Sequence, residues 1–280
     1  MNPARIEKFA GVAELLRCPL CGARMHVRDA SLRCEEGHGF DIAAKGYVNL
    51  MRRAVRDEYD AGFFDARSKI LAAGFYGHVL EALEDVLAST NLAGPMLDAG
   101  CGEGYYAKAL AEGVDVPIIG LDTSRDAILR AARGGNRVCW FVSDVANLPV
   151  RDGALGCILN IFTPANYAEF TRALSTDGML VKIVPGPGHM IELRELAGER
   201  LRHAHHSNRR VVEHLERHMV LERRVRACAT CDVAPDQVAD LLRMTPLLFG
   251  VDDTQLPHDR IRRVTVDAEL LVARAGHADA

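Results

Sequence analysis

The chain has 280 residues, enough for one large α/β domain with a small module beside it. Hydrophobic content of 49% and charged content of 26% fit a globular domain, and no apolar run reaches the ~18 residues of a membrane span. A net charge of −4 excludes a globally basic nucleic-acid binder, yet the sign is uneven: residues 1–56 carry ten Lys or Arg against six Asp or Glu, and a second Arg- and His-rich stretch runs from Arg200 to Arg226.

Residues 1–17 form an amphipathic lead-in through Phe9, Val12, Leu15 and Leu16. Cys18-Pro-Leu-Cys21 and Cys34-Glu-Glu-Gly-His38 follow, with the spacing C-x2-C-x12-C-x3-H. Two short-spaced pairs of thiolate and imidazole ligands separated by a hairpin can build the tetrahedron zinc prefers. Residues 18–50 are too few to fold by burial alone, so a structural Zn2+ on Cys18, Cys21, Cys34 and His38 would supply the folding energy. Eight cysteines in a long chain with no apolar signal-like opening point to a reducing, cytoplasmic compartment, where cysteine pairs are metal sites or core residues.

Residues 51–56 are basic and linker-like. Asp57 to Ser89 has helical periodicity with a break at Gly74; Phe64, Ala66, Ile70 and Leu71 make one stripe, and Val79, Leu83 and Val86 another. From Pro95 short apolar runs (Met96-Leu97, Pro117–Leu121, Val138–Val142, Leu155–Ile161, Met179–Val184) alternate with helical segments (Tyr105–Glu112, Arg125–Arg133, Tyr167–Leu174). Such alternation predicts a doubly wound, mostly parallel sheet. A helix over His189–His206, a strand over Leu221–Asp232, a helix over Pro235–Met244 and a strand over Arg262–Ala273 complete the pattern, and His277–Ala280 is expected to fray.

Asp98-Ala-Gly100-Cys-Gly102-Glu103-Gly104 closes a strand and opens a helix. Glycines there permit a sharp turn and close backbone approach, and the helix start offers unpaired N–H groups. Asp122 ends the next strand, where a carboxylate can take both hydroxyls of a ribose; N-capping is its bland alternative, which Thr123 or Ser124 could fill equally well. Loop, strand and acid together indicate a nucleotide-type cofactor. The run resembles motif I of class I S-adenosylmethionine-dependent methyltransferases. That resemblance implies a Rossmann-like, seven-stranded sheet with a reversed final strand, Asp122 on the ribose, and Ser143-Asp144-Val145 beside the adenine.

Cys18–Leu50 looks like the zinc-binding head of the bacterial 23S ribosomal RNA guanine-N1 methyltransferases, which carry CPxC, C-x3-H-x-FD and GYVNLL. The resemblance covers nearly the whole chain. Asp65-Ala-Arg67 and Gly74-Phe-Tyr76 are similar to the family's AR…GHY element, Asp98–Tyr106 to DIGCGEGYY, Pro185–Leu193 to PGPxHLxEL, and Leu241–Pro246 to LLxMTP. Departures are Ala43–Tyr47 for AKEGY, Phe63-Phe64 for Met-Met, Thr176-Asp177-Gly178 for a PGG turn, and Ile161–Pro164 for IYAP. The resemblance implies zinc on the four head ligands and cofactor contacts from Tyr76, Gly102, Glu103 and His189. Asp98, Gly100, Asp122 and Asp144 join them from the broader methyltransferase pattern. Its implied domains are a zinc-binding RNA-recognition module (1–50), a helical linker and cofactor lid (51–94) and the methyltransferase domain (95–280). The implied partners are a hairpin of 23S rRNA and a second copy in a homodimer, with no membrane.

Methylating guanine N1 requires loss of its proton and an unpaired base. No catalytic residue is singled out. Asp144, Glu169 and Glu103 are candidate bases, Asn160 is a substrate contact or a strand-end cap, and Phe162, Tyr167, Tyr47 and Phe63 are candidate stacking platforms or core. Cys228-Ala-Thr-Cys231 sits in a strand-like run whose odd separation puts its thiols on opposite faces, against a metal site. His203, His205 and His206 belong to a solvated or RNA-facing basic patch. The rival functions are a small-molecule (quinone or metabolite) methyltransferase and a non-catalytic zinc-ribbon RNA-binding protein with a vestigial cofactor fold.

Overall fold

The computed structural model describes residues 3–53, 59–90, 92–135, 137–201 and 207–275. Residues 54–56 of the basic linker, the 203–206 histidine cluster and the C-terminal tail lie outside them.

Helix α1 (Pro3–Ala13) leads into a three-stranded antiparallel sheet of β1 (Met25–Arg28), β2 (Ser31–Cys34) and β3 (Gly39–Asp41). The β1–β2 turn holds Asp29 at φ 56°, a left-handed position that Asp tolerates better than most residues. The next strand, β4 (Tyr47–Asn49), leaves the head and pairs in parallel with β7 (Cys139–Val142), placing Tyr47 opposite Trp140 and Val48 opposite Phe141. The seven-stranded sheet implied above therefore carries an eighth strand. The physical reason is an edge: without β4, β7 would expose its unpaired backbone, and the Tyr47–Leu50 segment offers buried Tyr47, Val48 and Leu50 to cover it.

Helices α2 (Ala61–Ala72) and α3 (Gly77–Ala88) follow, broken where expected by Gly74 at φ 85°. Asp60 caps α2 by accepting from the Phe63 amide. The main sheet contains β5 (Met96–Ala99), β6 (Ile118–Asp122), β7, β8 (Leu155–Ile161), β9 (Leu174–Pro185), β10 (Met219–Asp232) and β11 (Arg263–Ala275). Its order is β10-β11-β9-β8-β5-β6-β7-β4, all parallel except β11, which runs against both neighbours. Two sequence boundaries move. Thr176-Asp177-Gly178, expected as a turn, is extended within β9, because Leu174 already pairs with Leu155 of β8. The helix expected over His189–His206 begins as α7 (Ile191–Ala197) and passes at Gly198, φ 53°, into a short 3-10 turn.

One face of the sheet is covered by α2, α3, α4 (Tyr105–Gly113), α5 (Arg125–Ala131), α7 and α9 (Val238–Arg243). The other is covered by α1, the head, α6 (Tyr167–Ala173) and α8 (Arg209–Glu216). Phe9 packs edge-on against Phe141 at 5.5 Å, and Leu16, Leu32, Ile42 and Val48 share one buried core with Phe141, Leu148 and Val150. The head is thus fused to the sheet by a common hydrophobic core.

Candidate functional site

The head's ligands are presented by two tight turns. In the first, the Cys18 amide donates to the Ala23 carbonyl and the Gly22 amide to that of Cys18; in the second, the Cys34 amide donates to His38 and the Gly37 amide to Cys34. Gly22 and Gly37 sit at φ 76° and 84°, where a Cβ would be strained. The turns aim four donor atoms at one point. Cys18 Sγ lies 3.6 Å and Cys34 Sγ 3.4 Å from His38 Nδ1, Cys21 Sγ lies 3.7 Å from Cys34 Sγ, and all four atoms fall within 4.8 Å of one another. A tetrahedral zinc with its usual Zn–S and Zn–N bonds sets such edges at about 3.6–3.8 Å. The donor set therefore fits zinc. Cys228 is exposed and Cys231 half-buried against Phe75, and they join no such cluster among the described residues.

At the carboxyl ends of the central strands the glycine loop turns from β5 into α4. Gly100, Gly102 and Gly104 all have positive φ. A Cβ on Gly104 would lie 2.4 Å from the buried Trp140 ring, so this glycine is needed for packing as well as for the turn. Asp122 locks the loop: one carboxylate oxygen accepts from the Gly102 amide at 2.9 Å and the other from the Ser124 amide at 2.8 Å. Ser124 caps α5, so the cap expected as Asp122's alternative role falls to its neighbour.

Beneath the loop lies an unbalanced polar cluster. Arg67 of α2 reaches Glu103 Oε2 at 2.5 Å. Among the described residues, three buried side-chain atoms have no hydrogen-bond partner: Asp98 Oδ1, Glu103 Oε1 and the Tyr106 hydroxyl. Burial, with Asp122 beside it, pushes the Asp98 carboxyl up to about 7 against the pull of Arg67. Native proteins seldom leave such atoms unsatisfied. Two orphaned acid oxygens suit a ligand that carries positive charge and hydrogen-bond donors, and the ammonium and sulfonium of S-adenosylmethionine have that character.

Tyr76, at the start of α3, and His189, after β9, come together around Phe162. Phe162 lies 5.9 Å from Tyr76, edge-on, and 6.0 Å from His189, nearly parallel. His189 is held by the Pro185–Gly188 turn, which buried Asp267 pins by accepting from the Gly188 amide and, bidentately, from Arg226. Its Nδ1 accepts from the Asp267 amide. Asn160, fully buried at the end of β8, donates to the Ala99 and Pro164 carbonyls and accepts from Lys182 Nζ at 2.6 Å. A cavity of about 490 Å³ opens beside it, with Phe162, Thr163, Tyr167, Lys182, Arg210 and His214 in its wall.

The candidate bases fare unequally. Glu169 accepts from the Leu148 amide, Arg172 and Arg17; burial alone would raise its carboxyl, but these donors hold it below the ordinary value. Both of its oxygens are thus taken up in clamping α6 to the Leu148 segment and to Arg17. Asp144 caps the 3-10 turn Val145–Asn147, and Glu103 is bound to Arg67. Of the stacking candidates, Phe162 and Tyr167 line the cavity; the Tyr47 hydroxyl accepts from Arg125, and Phe63 stacks on Tyr59 at 4.4 Å. Arg67 enters the sequence reading only as part of the Asp65-Ala-Arg67 element, and Lys182 belongs to none of the motifs. For Lys182 the signal was a lone cation inside the apolar run Met179–Val184.

Comparison with known proteins bears on this pair of sites. Residues 16–52 match the zinc-ribbon family model described as RlmA, N-terminal, and residues 96–178 match a methyltransferase-domain model. The 23S rRNA (guanine(748)-N(1))-methyltransferase of Streptomyces fradiae is 34% identical over 274 residues, covering 94% of this chain and 98% of its own. YxjB of Bacillus subtilis, named for 23S rRNA (guanine-N(1)-)-methyltransferase activity, is 35% identical over 276 residues, 92% of this chain and 96% of its own. The chain belongs to the 23S rRNA (guanine-N1)-methyltransferase family. A chain from the Haloferax volcanii complex of the Trm112 methyltransferase activator with a methyltransferase matches with a TM-score of 0.52 at 18% identity, over 80% of this chain and all of its own. That likeness is one of fold. The methyltransferase is an enzyme with two groups to hold: S-adenosylmethionine in the Rossmann-like domain and a structural zinc in the Cys3His head.

Proposed function

We propose that this protein transfers the methyl group of S-adenosylmethionine to N1 of a guanine in 23S rRNA. The observation that carries the reading is the presence, in one packed chain, of a Cys3His head and a glycine-loop site, in a protein 34–35% identical to 23S rRNA guanine-N1 methyltransferases along nearly its whole length. S-Adenosylmethionine supplies an electrophilic methyl group, and the protein's task is to orient an acceptor against it and exclude water. Tyr76, Asp98, Gly100, Gly102, Glu103, Asp122, Asp144 and His189 hold the cofactor. Three supports favour that assignment: the orphaned atoms of Asp98 and Glu103, the loop lock by Asp122, and the meeting of Tyr76 and His189 at Phe162. Cys18, Cys21, Cys34 and His38 hold zinc, whose part is to fold the head.

Residues 1–50 act as the RNA-gripping head, 51–94 as a lid over the cofactor and 95–280 as the catalytic domain. The target is a guanine of a 23S rRNA hairpin, in a loop, in a bulge or flipped out, because N1 is hidden in a base pair and must be unpaired to react. A homodimer would present two heads to that hairpin. The site of action is the cytoplasm, where ribosomal RNA is found; no described helix is long and apolar enough to cross a membrane.

The test is to incubate the protein with labelled S-adenosylmethionine and either unmodified 23S rRNA or a metabolite extract. Label in the RNA, mapped to N1-methylguanine by nuclease digestion and mass spectrometry, is expected. Label only in small molecules would establish the metabolite reading instead, and absence of cofactor binding the vestigial one.

A further inference from the structure

We propose that Lys182 is a catalytic residue whose ammonium donates to O6 of the target guanine and stabilises the negative charge that gathers there when N1 loses its proton. The inference rests on the function proposed above and deepens it, naming a group that stabilises the charge formed in that step.

Lys182 sits within β9, where an apolar residue would be ordinary, and is 4% exposed. Buried lysines normally pair with a carboxylate. Among the described residues this one has none: its partners there are Asn160 Oδ1 at 2.6 Å and the Thr163 carbonyl at 3.0 Å. Both are neutral acceptors, so the charge is uncompensated among the described residues, which offer the third N–H of the ammonium no acceptor. Burial accordingly pushes the ammonium down to about 8, near enough to neutrality that it remains charged in the free enzyme while being costly to keep so. A partner that gains negative charge would relieve that cost.

The partner's place is the cavity that Lys182 helps line. This cavity shares two walls with the cofactor site. Phe162 lines it and also touches Tyr76 and His189. Thr163 lines it and presses on the glycine loop so closely that a Cβ on Gly100 would lie 2.8 Å from its side chain. A base entering here is therefore next to the cofactor. Phe162 holds φ at 53°, an outlier for an aromatic residue, and the Asn160–Lys182–Thr163 bonds fix the turn that keeps it there. The other titratable groups on the cavity wall are Tyr167 of α6 and Arg210 and His214 of α8; β8 contributes neutral Asn160, and β11 places apolar Leu271 opposite Lys182. Among the described residues no acid lines the cavity. The environment favours an anion over a neutral base, which is the condition for making guanine N1 reactive.

The N1 proton passes to water in a prior equilibrium, leaving an anion shared between N1 and O6. The N1 pair then forms the bond to the methyl carbon, the carbon–sulfur bond breaks with its pair remaining on sulfur, and the products are neutral N1-methylguanine and the neutral thioether.

The test is the pH dependence of kcat on 23S rRNA, read as N1-methylguanine, for the wild-type protein and for Lys182→Met, Lys182→Arg and His214→Asn. The wild-type rate should rise with pH to a plateau whose midpoint lies below the N1 pKa of the free nucleotide. In Lys182→Met that midpoint should move up toward the free value, with kcat at neutral pH reduced roughly 10²–10³-fold and the deficit shrinking as pH rises. Lys182→Arg, which keeps a cation, should keep the wild-type midpoint. A deficit in Lys182→Met that is the same at every pH marks a purely structural role and overturns the proposal, as does a midpoint that follows His214 rather than Lys182. Should Lys182→Met fail to fold, the wild-type midpoint decides, and a value at or above that of the free nucleotide overturns it. A wild-type protein that makes no N1-methylguanine refutes the proposed function itself, a distinct result.

Discussion

Replacing Asp98 by Asn should abolish a pH dependence of cofactor binding that the wild-type protein should show. Asp98 is 1% exposed, has an oxygen with no partner, and titrates at about 7 in place of the ordinary value near 3.9. Holding the ionised carboxylate there destabilises the free protein by about 4 kcal/mol above pH 7. The sign follows from proton counting. Between about pH 4 and 7 the native state binds the Asp98 proton and the unfolded chain does not, so stability is highest at the acid end of that window and falls as pH rises through 7. A cationic ligand beside Asp98 reverses the preference, favouring the carboxylate and expelling the proton. S-Adenosylmethionine should therefore bind more tightly as pH rises, with affinity changing by up to about tenfold per unit below pH 7 and levelling above it. Titration calorimetry in two buffers of different ionisation enthalpy measures both the affinity and the proton released. At pH 6 release should approach one proton per site in the wild-type protein and vanish in Asp98→Asn. Asp98→Asn should also make the ligand-free protein more stable at pH 8, because it removes an uncompensated buried charge. A wild-type affinity flat from pH 6 to 8, or a variant that keeps the slope, would refute the assignment of Asp98 to the cofactor's charge.

Three further substitutions probe the rest of the architecture. Cys21→Ser removes one of four ligands; zinc content should fall and RNA methylation should drop by roughly 100-fold or more, while cofactor affinity stays within about threefold, since Cys18 and Cys34 pack in the core on one face of the sheet and α4, which the glycine loop opens, in the core on the other. Parallel loss of cofactor affinity would mean the head supports the catalytic fold instead. Gly104→Ala places a methyl 2.4 Å from Trp140 at a residue with φ 78°, so overpacking and left-handed strain together should cost about 2–4 kcal/mol, read from the urea midpoint. Val48→Ala hollows the core shared by head and sheet; a loss of about 2 kcal/mol within a single unfolding transition is expected, and two separate transitions would show that β4 does not couple the parts.

Legibility in the sequence followed the range of the interaction. The zinc ligands, the glycine loop and the helix break at Gly74 depend on residues a few positions apart, and their spacing carries the geometry. The pairing of β4 with β7 depends on two segments meeting from distant parts of the chain, and nothing in Tyr47–Leu50 distinguishes a strand of the head from an edge strand of the main sheet. Charged residues show the limit most plainly. Glu169, Glu103 and Lys182 are each a polar residue in mixed or apolar surroundings, and the sequence offers no means of ranking them as catalytic groups. The fold does, through their partners. Among the described residues, Glu169 is saturated by Arg172, Arg17 and the Leu148 amide, Glu103 keeps one oxygen paired and one bare, and Lys182 has neutral acceptors and no counter-ion. A carboxylate already neutralised by two guanidiniums gains little from taking a proton, whereas a buried cation without an anion gains from any charge that develops beside it. The chemistry is thus expected at the residue whose electrostatics the protein leaves incomplete. Asp98 and Lys182 bear on the same two loops: Asp98 leads into Gly100, and Lys182 bonds Thr163, whose side chain would lie 2.8 Å from a Cβ on Gly100, so a cationic methyl donor and a base becoming anionic would meet there.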